Sequence, residues 1–147
     1  MLDPQIQRLK LNHNILKEIG SASFQFHPEL THVDLANNQL VGIQDGTFEA
    51  QELLLELNLS QNNLSMLNSQ TFLGLESLEV LNLSANVLQS LIDSVFNHLS
   101  KLKKLDLSSN NIRIVANMAF SGLNSLQSLK LNKTQGRHSA FSQACTH

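Results

Sequence analysis

Apolar positions recur along the chain every 24 residues: Ile6, Leu30, Leu54, Leu78, Leu102 and Leu126 open six segments that follow one another without insertion or deletion. Each segment approximates the frame L-x-x-L-x-L-x-x-N-x-L-x-x-L followed by a Phe, cleanest in Leu78, Leu81, Leu83, Asn86, Leu88, Leu91, Phe96 and Leu99. Around the second and third leucines the stretch Glu79-Val80-Leu81-Asn82-Leu83-Ser84 alternates apolar and polar side chains, which predicts a short strand with one buried face. Leu81 and Leu83 then point inward, and Val80, Asn82 and Ser84 face a concave surface. Six such strands stacked in parallel need a crossover between neighbours. The run from Leu88 through Leu91 and Phe96 to Leu99 supplies it as a convex side, and its scattered polar residues Gln89, Ser90 and Asn97 argue against a long helix there.

Two further positions repeat in phase. Asn14, Asn38, Asn62, Asn86 and Asn110 stand where the chain leaves the strand. A side-chain amide there offers both a donor and acceptors to backbone groups that the turn buries, so a ladder of asparagines is expected. Phe24, Phe48, Phe72, Phe96 and Phe120 follow Ser23, Thr47, Thr71, Val95 and Ala119, each small or β-branched, and an aromatic spine beneath the convex surface is expected from them.

This 24-residue pattern, covering about Ile6 to Lys133, resembles the typical class of leucine-rich repeats found in extracellular proteins: Toll-like receptors, chaoptin-like adhesion proteins, Slit proteins and small matrix proteoglycans. Proteoglycan-type repeats often carry a Pro just after the fifth leucine. Here Gly20, Gln44, Asn68, Ile92 and Ala116 fill that place, which leans towards receptor and adhesion members. The resemblance implies an α/β-type leucine-rich repeat solenoid, a curved right-handed coil with a parallel sheet on the concave face and irregular or short 3-10 segments on the convex one. The repeat domain is expected over residues 1–133, with its sixth unit incomplete. Thr134 replaces the asparagine, Gly136 replaces the next leucine, and residues 134–147 read as a flexible non-repeat tail. Extracellular members usually carry cysteine-bearing caps, and solenoids need polar capping repeats. Neither is visible, which suggests a piece of a longer protein whose uncapped ends can self-associate.

Composition narrows the partners. With 41% hydrophobic residues, 15% charged residues and a net charge of −2, the chain lacks the clustered Lys and Arg of a phosphate binder, so nucleic acid is not expected. No apolar run approaches the roughly 20 residues that span a bilayer, and the start of the chain does not read as a signal peptide. A single cysteine, Cys145, cannot form an internal disulfide. His138, Cys145 and His147 fall in the tail, and His13, His27, His32 and His98 fall at different phases, so no metal site is expected. No phosphate loop, carboxylate pair or nucleophile motif appears either, and neither an enzyme nor a cofactor is expected.

What remains is the concave face. Its central lane reads Lys10, Asp34, Asn58, Asn82, Asp106 and Lys130. One flanking lane reads Arg8, His32, Glu56, Val80, Lys104 and Ser128, and the other Asn12, Ala36, Ser60, Ser84, Ser108 and Asn132. Lys10, His32, Asp34, Glu56, Asn58, Asn82, Lys104, Asp106 and Lys130 are the candidate partner-binding residues. The lanes lack aromatic anchors, the chain has no Trp or Tyr, and a merely solvated face is the competing view. Asn58, Asn63, Asn82 and Asn132 each open an N-x-S/T acceptor sequence, although L-N-L-S also arises simply from filling the frame. The function expected is protein–protein interaction, in a secreted or cell-surface receptor or adhesion protein recognising a protein ligand. An intracellular scaffold or adaptor, with cytoplasmic localisation, and a structural spacer in a longer array stand beside it.

Overall fold

In a computed structural model, residues 2–132 are described. Six three-residue strands form a parallel sheet: β1 (Arg8–Lys10), β3 (His32–Asp34), β5 (Glu56–Asn58), β6 (Val80–Asn82), β8 (Lys104–Asp106) and β10 (Ser128–Lys130). Their register is the sequence repeat itself, since Leu9, Val33, Leu57, Leu81, Leu105 and Leu129 are successive cross-strand partners exactly one repeat apart. The second and third frame positions turn into the core: Leu81 is 1% exposed and Leu83 is fully buried. Each coil buries its apolar face against the next, which is how a solenoid holds together without a single central core.

The asparagine ladder runs through four coils. Asn86 Nδ2 donates to the carbonyls of Leu59 (2.9 Å), Leu83 (3.1 Å) and Ser84 (3.3 Å), while its Oδ1 accepts from the amide of Leu64 (3.0 Å). Asn38, Asn62 and Asn110 repeat the arrangement, so each ties its own turn to the preceding coil. Asn14 departs from this expectation. It is exposed and, among the described residues, its side chain bonds only the carbonyls of Leu11 and Asn12, because no described coil precedes it.

The phenylalanine rings stack in two groups rather than one continuous spine: Phe24 on Phe48 with centroids 5.8 Å apart, and Phe72, Phe96 and Phe120 with centroids 6.1 Å apart in each successive pair. The residue before each Phe is small for two reasons. Thr47, Thr71, Val95 and Ala119 are buried, and the hydroxyls of Ser23 and Thr71 accept from the backbone amides of Gly20 and Asn68 three residues earlier.

The far side is irregular, as expected, but contains elements the pattern did not announce. No 3-10 helix is assigned among the described residues; instead there are isolated turns closed by bonds to the third preceding carbonyl, such as Thr47 to Gln44 and Gln51 to Phe48. A one-turn helix, α1 (Ser21–Phe24), and two small parallel ladders complete it: β2 (Glu18–Ile19) with β4 (Gly42–Ile43), and β7 (Ser90–Leu91) with β9 (Ile114–Val115). Two-residue pairings between coils carry too few positions for a periodic signal. The frame leucine after the Phe, filled by Leu75 and Leu99, is His27 and Gln51 in the first two coils. Gln51 is 1% exposed and donates to the carbonyls of Phe24 (2.8 Å) and His27 (3.3 Å). No helix among the described residues is long and apolar enough to cross a membrane. The expected tail, with Thr134, Gly136, His138, Cys145 and His147, lies outside the described residues, as does the end of the repeat domain at residue 133.

Candidate functional site

Strand alternation leaves one row of side chains free for every row buried, and the sheet register aligns the free rows into lanes. The central lane runs Lys10, Asp34, Asn58, Asn82, Asp106, Lys130, with each residue the direct cross-strand partner of the next. Arg8, His32, Glu56, Val80, Lys104 and Ser128 align likewise beside it.

This face is hollowed over its first four strands. A depression of about 270 Å³ is lined by Arg8, Lys10, His32, Asp34, Glu56, Asn58, Val80 and Asn82, with Leu9, Val33 and Leu57 beneath. Six of the nine sequence candidates, Lys10, His32, Asp34, Glu56, Asn58 and Asn82, therefore share one concavity. Lys104, Asp106 and Lys130 lie further along the same lanes, outside it.

The central-lane carboxylates and amides also have a structural task that the composition of the lane did not suggest. Asp34 Oδ1 accepts the amide of Ala36 (3.0 Å), Asn58 Oδ1 that of Ser60 (3.0 Å), Asn82 Oδ1 that of Ser84 (3.0 Å) and Asp106 Oδ1 that of Ser108 (2.9 Å). These bonds fix one oxygen of each side chain at the strand end. The signal was available: an Asp or Asn that bonds its own backbone two residues on is the ordinary chemistry of an Asx turn.

Charge on the face is mixed. Glu56 lies 3.8 Å from His32 Nε2, whose other ring nitrogen sits 2.9 Å from the Thr31 hydroxyl. The other described ion pair, Lys103–Glu79 at 3.2 Å, involves the residues that lead into β8 and β6 rather than either lane. Arg8, Lys10, Lys104 and Lys130 contact no carboxylate among the described residues. Among the described residues no group of His, Cys, Asp and Glu is arranged to hold a metal ion. Of the acceptor asparagines, Asn58 and Asn82 are half-buried neighbours in the sheet, while Asn63 and Asn132 are exposed.

The leucine rich repeat family profile matches residues 28–88 and 77–135, and the chain belongs to that family. Among solved structures it is similar to TLR13 in a crystal structure of the TLR13–ssRNA13 complex, with 28% identity and a TM-score of 0.71 over 95% of this chain and 24% of that one. It is also similar to a chain of the Drosophila Toll–Spatzle complex, with 29% identity and a TM-score of 0.85 over 90% of this chain and 18% of that one. The chain thus spans less than a quarter of the length of either neighbour. The extracellular-type repeats of the Toll-like receptor class are the ones it resembles. No curated protein sequence matches it.

Proposed function

We propose that this chain is a protein-recognition segment of a receptor-like, secreted or cell-surface leucine-rich repeat protein, and that it engages a protein partner through the solvent face of its six-stranded sheet. The observation that carries this is the convergence of Lys10, His32, Asp34, Glu56, Asn58 and Asn82 on one depression, with the lane charges of Lys104, Asp106 and Lys130 continuing beyond it. Asp34, Asn58, Asn82 and Asp106, restrained by their backbone bonds, lose little conformational freedom on binding, which favours polar recognition. Similarity to Toll, seen with Spatzle, supports a protein partner.

TLR13 is seen with single-stranded RNA, but the lanes here alternate Arg8, Lys10, Lys104 and Lys130 with Asp34, Glu56 and Asp106. Such mixed charge disfavours a phosphate backbone, which needs a cationic track. The sheet face alone measures roughly 24 Å by 10 Å. That is well below the approximately 800 Å² per partner of a standard interface, so the partner must extend over flanking turns or further coils.

The test is photo-crosslinking from two positions. A photoreactive residue at Val80, in the depression, is expected to capture a discrete protein from cell-surface or extracellular extract. The same residue at Glu49, exposed beside Phe48 on the convex side, is expected to capture none. Equal capture from both positions, or capture of RNA from Val80, would reject this assignment.

A further inference from the structure

The acceptor sequences that look alike in sequence occupy different surroundings. Asn58 and Asn82 sit on adjacent strands in register, so their backbones are about 4.8 Å apart. Both line the depression, and both have Oδ1 bound to the backbone two residues on. Asn58 also accepts from the Ser60 hydroxyl at 2.7 Å, and Ser60, the hydroxyl residue of that acceptor sequence, is buried at 9% exposure. A glycan at either position would fill the hollow, and glycans at both would collide.

Asn63 differs on every count. It lies on the flank just after the ladder asparagine, where Asn63 and Ser65 are exposed and Leu64 between them is buried as a core residue. Its backbone amide bonds the carbonyl of Leu40 (2.8 Å), and its side chain makes no hydrogen bond among the described residues. Its counterparts one coil away, Gln39 and Val87, are exposed too, leaving room on both sides. The same flank carries one large exposed apolar side chain in each of five coils, Ile15, Val41, Met66, Val87 and Ile114. A hydrated oligosaccharide on Asn63 would stand among these side chains, with Val87 at the same repeat position in the next coil.

We propose that Asn63 is an N-glycan attachment site, and that the sugar stands on the flank while Asn58 and Asn82 stay bare and leave the sheet face open. This rests on the extracellular assignment above. In the reaction, Asn63 Nδ2 forms a bond to the anomeric carbon of a polyisoprenyl-pyrophosphate-linked oligosaccharide. The bond from that carbon to the pyrophosphate oxygen breaks, the lipid pyrophosphate leaves, and the amide nitrogen loses one proton.

The experiment supplies the secretory route: the full chain is expressed behind a secretion leader in mammalian cells, with Asn132→Gln so that the acceptor reaching outside the described residues does not contribute. Glycopeptide mass spectrometry is expected to find the glycan on Asn63 and unmodified peptides for Asn58 and Asn82. Asn63→Gln is expected to abolish the mobility shift that peptide-N-glycosidase removes. An unmodified Asn63 in the secreted protein, or sugar on Asn58 or Asn82, would overturn the proposal. Because the leader imposes the route, such a failure says nothing against extracellular residence, which localisation of the full-length product tests separately.

Discussion

Asparagine and leucine positions that repeat identically in sequence do not contribute identically to stability. Asn86 satisfies three carbonyls and one amide, and Leu64, which owns that amide, is fully buried. Asn86→Ala leaves these groups stranded and is expected to cost about 1–3 kcal/mol in chemical denaturation. Asn14→Ala is expected to cost well under 1 kcal/mol, roughly the scale of one exposed hydrogen bond, and equal losses at the two sites would refute the ladder as a tie between coils. Leu83→Ala opens a cavity at a fully buried site and is expected to cost about 2–5 kcal/mol. The buried leucines and the ladder were legible because a strict period exposes any position filled for packing or hydrogen bonding. The backbone bonds of Asp34 and Asp106 escaped notice for the opposite reason, since a charged residue on an open face suggests a partner before it suggests its own backbone.

At the level of the turn, backbone conformation separates residues that composition does not. His13, Asn37, Gln61, Ala85 and Ser109, all at one repeat position, have φ between 53° and 58°. The left-handed region disfavours a β-carbon but tolerates Asn, so Ala85→Asn is expected to raise stability by up to about 1 kcal/mol; an unchanged or lowered midpoint would contradict the strain. Glycines divide in the same way. Gly74 has φ +98°, and an added β-carbon would fall 2.5 Å from the Phe48 carbonyl oxygen and 2.6 Å from Glu49 Cα. Gly42, in β4, has nothing within 4 Å. Thermal denaturation is expected to show Gly74→Ala destabilised by more than about 1 kcal/mol and Gly42→Ala neutral or stabilised by up to roughly that amount. Neither the left-handed position nor the small ladders β2–β4 and β7–β9 could be read from hydrophobic periodicity, because they are set by backbone geometry across coils and leave little trace in side-chain type.

Across the whole molecule, stability is distributed as in a stack whose middle members have two neighbours. Leu54, Leu78 and Leu102 are fully buried, whereas Ile6 and Leu126 at the same repeat position are only partly so. Hydrogen exchange of the 147-residue chain is expected to be slowest in β5, β6 and β8 and fastest in β1 and β10; uniform protection would contradict a coil-by-coil architecture. The fold was readable almost in full, while the partner face was readable only as a set of lanes: which six candidates share a hollow depends on the shape of the stacked strands, not on the lanes alone. Recognition through that face is tested most directly by removing the acid charges of its central lane without disturbing its hydrogen bonds. Asp34→Asn with Asp106→Asn retains an Oδ1 for the amides of Ala36 and Ser108. Because Asp106→Asn also creates an acceptor sequence with Ser108, the protein is made in a host without N-glycosylation. Affinity for the partner captured at Val80 is expected to fall about tenfold or more, equivalent to roughly 1.4 kcal/mol, with Glu49→Gln on the opposite side unchanged. Unaltered binding by the double variant, or an equal loss in Glu49→Gln, would contradict recognition through the sheet face.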